Sequence, residues 1–146
     1  MIKLSTKSRY GLRILVQIAL ESRRGRLANG RTLAREQEIT EAYMEQIMIP
    51  LKTAKLVKTR RGCRGGYELG RPPEQITILE VIELFEGSVE LVHCDGPEEV
   101  CPRRRDCLTY PAWKTLSDGL RRTAAGMTLS GLMPAEGAMP AEAYVI

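Results

Sequence analysis

The chain has 146 residues, of which 43% are hydrophobic and 27% are charged, and its formal net charge is +4. This length predicts one domain with a modest core, and the lack of an apolar run long enough to cross a bilayer excludes a membrane-spanning protein. The first 22 residues begin basic and become apolar, but Arg13 and Gln17 interrupt the apolar part. We therefore predict no signal peptide and expect a cytoplasmic protein with reduced cysteines.

Positive charge is concentrated in the first half of the chain. Residues 1–75 contain 16 Lys and Arg against 7 Asp and Glu, whereas residues 76–146 contain 6 against 11. A basic segment joined to an acidic segment predicts a polyanion-binding region followed by a second function. The alternative is a solvated surface of mixed charge, and charge alone does not decide between the two.

Hydrophobic periodicity predicts two helices before residue 39. Apolar side chains recur every four positions in the first of them, at Tyr10, Ile14 and Ile18. Ser5 is placed to cap this helix, which we expect to end near Ser22. A basic turn precedes the short second helix, which is predicted to begin at Thr32.

The third predicted helix covers residues 41–55 and follows the capping residue Thr40. Its apolar stripe has the i, i+3, i+4, i+7 spacing of a helix packed on a core, at Met44, Ile47, Met48 and Leu51. Pro50 removes one backbone donor, and its ring crowds the carbonyl of Gln46. We therefore predict a kink or a break near residue 49.

A β-hairpin is predicted after the third helix. Residues 56–61 and 67–69 are β-compatible runs on either side of a glycine-rich turn, and the segment from Lys52 to Arg64 contains six basic residues and no acidic one. Three helices followed by such a hairpin predict a winged helix-turn-helix that binds double-stranded DNA. The recognition helix would enter the major groove, and arginines of the wing tip would enter the minor groove. The alternative is a solvated hairpin whose charges only maintain solubility.

The second half of the chain begins with a T-x-x-E capping box for a fourth helix, formed by Thr77 and Glu80 and closed by Gly87. A fifth helix is predicted from Pro111. Its apolar stripe consists of Trp113, Leu116 and Leu120. One more helical turn is predicted within residues 127–133.

Three of the four cysteines, Cys94, Cys101 and Cys107, lie in a loop rich in Pro, Gly and charge. Their spacing is too loose for a structural zinc site, which favours C-x₂₋₄-C pairs, and it lacks the C-x-x-C of a thiol redox enzyme. Thiolates from a loop are the usual ligands of an iron–sulfur cluster. The alternative is three reduced cysteines that hold no metal.

Residues 4–20, 43–83 and 107–118 closely resemble the IscR/NsrR family of bacterial winged-helix transcription regulators. The resemblance extends from residue 1 to about residue 133 and is most specific over 43–67. It implies a homodimer on palindromic DNA, with the long helix after the cysteine loop at the dimer interface.

The fold class that follows is mainly α with a small β-hairpin, a winged helix-turn-helix joined to a long C-terminal dimerisation helix. We assign residues 1–75 to the DNA-binding region and 76–133 to the cluster-binding loop and dimerisation helices. Residues 134–146 form a tail rich in Ala, Pro and Gly, which we expect to be loosely held.

The resemblance also implies DNA-contacting residues. The positions at which family members touch DNA from the recognition helix are occupied here by Thr40, Tyr43, Glu45 and Gln46. Arg61 matches a wing arginine of the minor groove, and Lys58, Arg60 and Arg64 are further cations for the phosphates. Gln46 can pair with adenine, and Glu45 can accept from cytosine N4. The alternative for Tyr43 is packing against the second helix.

By the same resemblance, Cys94, Cys101 and Cys107 are the three cluster ligands, with 2Fe–2S favoured and 4Fe–4S as the alternative. The fourth ligand departs from the family, because Tyr110 replaces the His of IscR-type members and Arg9 replaces the carboxylate of NO-sensing members. Tyr110 phenolate is our first candidate. The others are water, His93, Asp95 and Asp106, and we expect His93 to be solvated because it is adjacent to Cys94.

These observations lead to one interpretation and two rivals. The chain is interpreted as a homodimeric, iron–sulfur-cluster-responsive transcription regulator and not as an enzyme. The first rival is a cluster-free winged-helix repressor controlled by a partner protein or a small molecule. The second rival, a thiol-based enzyme, is disfavoured because the chain has no C-x-x-C. Cys63, in the wing tip, is expected to be a small residue tolerated in a tight turn, with an oxidation-sensitive wing as the weaker alternative.

Overall fold

The computed structural model describes residues 3–95 and 101–135. The described chain contains the helices and strands α1 (Thr6–Arg23), α2 (Gly30–Glu36), α3 (Glu41–Thr53), β1 (Val57–Arg60), β2 (Gly66–Leu69), α4 (Ile78–Glu86), α5 (Tyr110–Gly126) and α6 (Leu129–Leu132). The predicted fold, mainly α with one antiparallel hairpin, is confirmed. Most of the tail predicted for 134–146 lies outside the described residues.

The caps of the first two helices were not equally predictable. Ser5 caps α1 as expected, because its hydroxyl accepts from the backbone N–H of Ser8 at 3.2 Å. The predicted start of α2 at Thr32 is wrong. The side chain of Asn29 accepts from the N–H groups of Arg31 and Thr32 at 3.0 and 3.2 Å, so the helix begins two residues earlier.

The helix α3 continues through Pro50, so of the kink or break predicted near residue 49 the break does not occur. The backbone N–H of Ala54 donates to the carbonyl of Pro50 at 2.9 Å, and the Thr53 hydroxyl donates to the carbonyl of Ile49 at 3.0 Å. All four stripe residues are buried, namely Met44, Ile47, Met48 and Leu51. Each contributes about 1.5–3 kcal/mol, which together exceeds the cost of about 3 kcal/mol for a proline inside a helix.

A single hydrophobic core joins the two halves of the chain. Buried side chains of α1, α2, α3 and β1 form most of it, and Ile76, Val81 and Leu129 complete it from the second half. The backbone holds α6 in this position, since Leu129 N–H donates to the Ile76 carbonyl and Ile78 N–H donates to the Met127 carbonyl, both at 2.9 Å. The helical turn predicted within 127–133 is therefore confirmed as part of the core.

The helices α4 and α5 pack on each other, and the cysteine loop connects them in the chain. Thr77 caps α4 as predicted, accepting from the N–H of Glu80 at 3.2 Å, while the Glu80 carboxylate pairs with Arg71. Gly87 ends α4 with a φ of 82°. The helix α5 begins at Tyr110, one residue before the predicted start. No helix within the described ranges is both long and apolar enough to span a bilayer.

Candidate DNA-binding surface and cysteine loop

The exposed side of α3 presents polar side chains opposite the buried stripe. Glu45 and Gln46 are exposed, as is Thr40 at the start of the helix. The Thr40 hydroxyl also accepts from the N–H of Tyr43 at 3.2 Å, so this residue holds the first turn as well as facing solvent. The structure therefore brings these three predicted contact residues to one surface.

Tyr43 is half-buried against α1. Its ring meets the ring of Tyr10 edge-on, with 6.0 Å between the ring centroids. The predicted alternative had placed Tyr43 against the second helix, whereas the aromatic partner belongs to the first. Tyr43 therefore helps to fix the position of α3 on α1. Its hydroxyl edge is the part that is left to contact a ligand.

The wing is a two-stranded hairpin with a tight, basic tip. Arg61 and Arg64 are exposed at the tip. A side chain at Gly65 would place its Cβ only 2.4 Å from the carbonyl oxygen of Arg60, so only glycine fits this turn. The compact tip projects both arginines beyond the sheet.

The cations of strand β1 face an acidic residue of strand β2. Lys58 is directly opposite Glu68, and the Nε of Arg60 donates to the Glu68 carboxylate at 3.0 Å. Arg60 is 67% exposed despite this contact, so its guanidinium can turn toward a phosphate. The predicted wing cations are thus all on the surface, with Arg60 already paired.

A polar contact that the sequence did not predict joins the wing to α3. The hydroxyl of Tyr67, in β2, donates to the Glu45 carboxylate at 2.8 Å. The ammonium of Lys52 lies 3.9 Å from the other Glu45 oxygen. Burial and the Glu45 carboxylate raise the pKa of Tyr67 to about 12, so the hydroxyl keeps its proton at neutral pH.

The three loop cysteines are of intermediate exposure, whereas Cys63 is exposed in the wing. Cys94 lies in a short 3₁₀ turn, His93–Asp95, and Cys101 and Cys107 flank another, Arg104–Asp106. Within 3–95 and 101–135, no three His, Cys, Asp or Glu side chains lie close enough together to hold a metal ion. Residues 96–100 are not described, and the three-cysteine site stays a prediction.

The chemistry of this donor set fits a cluster held by thiolates. Hydrogen bonds from the Thr109 hydroxyl and from the backbone N–H groups of Thr109 and Tyr110 lower the pKa of the Cys107 thiol. The Cys107 sulfur lies 3.4 Å from the Thr109 hydroxyl oxygen. A lower pKa favours the thiolate, which is the form that binds metal.

Tyr110, the first candidate for a fourth ligand, is in contact with Arg104. The guanidinium donates to the Tyr110 hydroxyl at 2.6 Å, and its central carbon lies 4.7 Å from the ring centroid. The hydroxyl would have to give up this partner, or share it, to bind a metal. His93 is exposed, as expected.

The outer face of α5 carries an uncovered apolar stripe. Trp113, Leu116 and Leu120 are 41%, 54% and 41% exposed, whereas Ser117, on the inner face, is 1% exposed. The Ser117 hydroxyl accepts from the N–H of Leu91, which attaches the start of the cysteine loop to α5. The stripe therefore lies beside the packed face of α5 and is left largely uncovered.

The end of α4 is attached to the beginning of α1. The Glu86 carboxylate accepts from the backbone N–H of Ser5 at 2.8 Å and from the Ser8 hydroxyl. The hydrogen bond from Ser8, with those from Ser5, lowers the pKa of Glu86, so the carboxylate stays ionised at neutral pH. Glu86, the last residue of α4 before the cysteine loop, is thereby joined to α1. The helix α3 packs on the same α1.

A three-helix unit with an exposed polar recognition helix and a basic wing defines a winged helix-turn-helix protein. A family model described as "Rrf2: Iron-dependent Transcriptional regulator" matches residues 4–135. The chain therefore belongs to the Rrf2 family of transcriptional regulators, and the predicted family is confirmed.

Several known proteins are similar to this chain over most of its length. The HTH-type transcriptional regulator CymR of Bacillus subtilis is 34% identical over 131 residues, covering 90% of this chain and 89% of CymR. IscR of Aliivibrio salmonicida is 33% identical, covering 90% and 77%. A solved structure described as CymR, the global cysteine regulator of B. subtilis, superposes with a TM-score of 0.72 at 33% identity, covering 90% of this chain and 96% of that one. The relatives are named as regulators and not as enzymes.

Proposed function

We propose that the chain is an iron–sulfur-cluster-responsive transcription regulator of the cytoplasm, which binds palindromic operator DNA as a homodimer. The cluster state would control its affinity for DNA. Membership of the Rrf2 family and the similarity to IscR support this proposal.

One observation carries the DNA-binding part of the proposal. The exposed polar face of α3 lies beside the wing, and residues 52–64, which run from the end of α3 to the wing tip, contain six cations and no acidic residue. A recognition helix in the major groove would bring Gln46 and Glu45 to base edges. The wing cations would neutralise phosphates on the neighbouring backbone, and Arg61 would reach the minor groove.

The loop between α4 and α5 supports the cluster part of the proposal. Cys94, Cys101 and Cys107 would hold the cluster, and hydrogen bonding already favours the thiolate of Cys107. When bound, an iron–sulfur cluster supplies a redox-active and oxidation-sensitive centre, 2Fe–2S in our proposal and 4Fe–4S in the alternative. The Tyr110 phenolate is the protein's own first candidate for the fourth position.

Contacts at both ends of the loop can pass a change in its order to the DNA-binding half. At one end, Glu86 binds the first turn of α1. Beyond the other end, about three turns into α5, the Arg121 guanidinium lies 3.2 Å from the Glu83 carboxylate of α4. Ordering of the loop would therefore move α4 and α5 together and change the separation of the two recognition helices in a dimer.

Salt dependence of DNA binding tests the DNA-binding part of this function. We expect the affinity for a duplex to fall roughly a thousandfold between about 50 and 200 mM salt, because six or more cations of two wings displace counterions. Fluorescence anisotropy on a labelled duplex measures this. An affinity that does not change with salt would contradict the proposal.

Arg61→Ala is expected to weaken binding to the preferred operator by about 1–3 kcal/mol and to relax the preference for A·T pairs beside each half-site. The reason is that a narrow A·T minor groove has an enhanced negative potential. Lys58→Ala is the matched control, since a phosphate contact should weaken binding to every sequence alike. Equal losses on all sequences for Arg61→Ala would show that Arg61 also touches only phosphate.

The second candidate is a cluster-free regulator controlled by a partner protein or a small molecule. The similarity to the structure described as a global cysteine regulator favours it. Iron and sulfide content and the visible spectrum of anaerobically purified protein separate the two. The cluster-free candidate predicts no iron and no absorption above the protein bands.

A further inference from the structure

The contact between Tyr67 and Glu45 connects two elements that approach DNA from different sides. Glu45 belongs to the exposed face of α3, and Tyr67 to the inner side of the wing strand β2. The two groups lie 22 residues apart in sequence, and their oxygens are 2.8 Å apart. They lie in a groove of about 400 Å³ that opens between α3, the wing and the start of α2.

The strand has a neighbour on both edges at Tyr67, and the backbone hydrogen bonds of Tyr67 itself go to Ala28. On one edge it is paired with Thr59 of β1. On the other, its N–H donates to the Ala28 carbonyl at 2.8 Å and its carbonyl accepts from the Ala28 N–H at 2.9 Å. Tyr67 is therefore the point where the wing is joined to the turn before α2.

The ring of Tyr67 is positioned from the side of α2 as well. A Cβ at Gly30 would lie 3.2 Å from the Tyr67 ring and 3.0 Å from the methyl group of Met44, so the glycine leaves room for both. Lys52 lies over the ring, 5.9 Å from its centroid. A ring held by backbone pairing, by packing and by a cation gives its hydroxyl a defined direction.

A carboxylate at the DNA surface has two opposed effects. It can accept a hydrogen bond from cytosine N4, but it also repels phosphates, so it aids recognition only where its position is fixed. Glu45 is 51% exposed, and a side chain with that much freedom has many rotamers. The Tyr67 hydroxyl and Lys52 each engage one carboxylate oxygen, which restricts those rotamers.

We propose that Tyr67 is a specificity-determining positioning residue, which acts through Glu45 to make the recognition helix selective for one base pair in each half-site. The inference rests on the proposed DNA-binding function. Tyr67 holds the Glu45 carboxylate in one position on the exposed side of α3. The base pair that this carboxylate would select has an exocyclic amino group to donate, as cytosine does. Tyr67 contributes selectivity more than affinity, because its hydroxyl is already occupied.

The test is a selection from a pool of randomised duplexes, followed by dissociation constants for the preferred duplex and its single-base-pair variants. For Tyr67→Phe we expect the discrimination at one base pair per half-site to fall by about three- to tenfold, since a hydrogen bond to a charged group is lost. Glu45→Ala should lose discrimination at the same base pair. The double variant should lose no more than Glu45→Ala alone, because Tyr67 acts only through Glu45.

The controls separate positioning from a general structural role. Tyr10→Phe removes the same atom from a ring of α1 that packs on Tyr43, and it should leave the discrimination unchanged. The salt dependence and the melting temperature of Tyr67→Phe should match those of the native protein. Losses spread over all base pairs, or additive losses in the double variant, would overturn the proposal, as would unchanged discrimination. If the native protein shows no preference within the pool, the proposed function fails instead.

Discussion

Cys101→Ala is expected to abolish iron and sulfide binding and the visible absorption of the anaerobically purified protein. The same result is expected for Cys94→Ala and Cys107→Ala, because a cluster that loses one of three thiolates is not retained. The three cysteines lie within about 14 residues of each other, a span over which a loop can close on one site at small entropic cost. Iron and sulfide analysis with visible spectroscopy measures the effect.

Cys63→Ala is the matched control for these variants. Cys63 lies in the exposed wing, away from the loop, so this variant should keep its iron, its sulfide and its spectrum. A complete cluster in Cys101→Ala would overturn the assignment of three thiolate ligands.

Tyr110→Phe extends the same experiment to the fourth ligand. If the phenolate binds iron, a charge-transfer band is lost and the cluster becomes less stable. If the hydroxyl only pairs with Arg104, as in the structure, the spectrum stays unchanged. The fourth ligand would then be sought among Asp95, Asp106, His93 and the partner subunit.

Leu116→Asp is expected to dissociate the proposed homodimer. Leu116 is the most exposed residue of the apolar stripe on α5, and in a dimer the new carboxylate would be buried without a partner. Such an uncompensated charge costs about 3–5 kcal/mol, which lowers the association constant by more than a hundredfold. Sedimentation velocity over a range of protein concentrations measures the change.

Thr115→Asp provides the control for charge on the same helix. Thr115 is exposed and lies about 100° around the helix from Leu116, away from the stripe. This variant should remain a dimer. If Leu116→Asp also sediments as a dimer at every concentration, the stripe is not the interface between subunits.

The elements that could be predicted from the sequence are those whose signals are local. The stripe of α3 and its cap at Thr40 depend on residues within two turns of each other, and both were predicted correctly. The start of α2 was not, because Asn29 and Thr32 are both good capping residues and only the hydrogen bonds show that Asn29 is used. The break predicted at Pro50 is absent for a different reason: the burial of its neighbours outweighs the local cost of the ring.

The contacts that connect elements could not be predicted in this way. Glu86 reaches Ser5 and Ser8 across about 80 positions, and Tyr67 reaches Glu45 across 22. Neither glutamate differs in sequence from an ordinary solvated carboxylate, and only the packing of α4 on α1 and of the wing beside α3 brings their partners close. The basic wing and its arginines could be predicted, because a run of basic residues without acidic ones by itself indicates a nucleic-acid-binding surface.

The shared core limits how this protein can be recombined with its relatives. Ile76, Val81 and Leu129 are at most 1% exposed, and each belongs to the core that residues before 75 mainly form. A chimera that joins residues 1–75 to the second half of another regulator would keep its wing and recognition helix but inherit foreign side chains at these three places. Such hybrids should fold only where the donor supplies side chains of matching volume, so exchange of DNA specificity is better sought by grafting the surface of α3 than by exchanging halves.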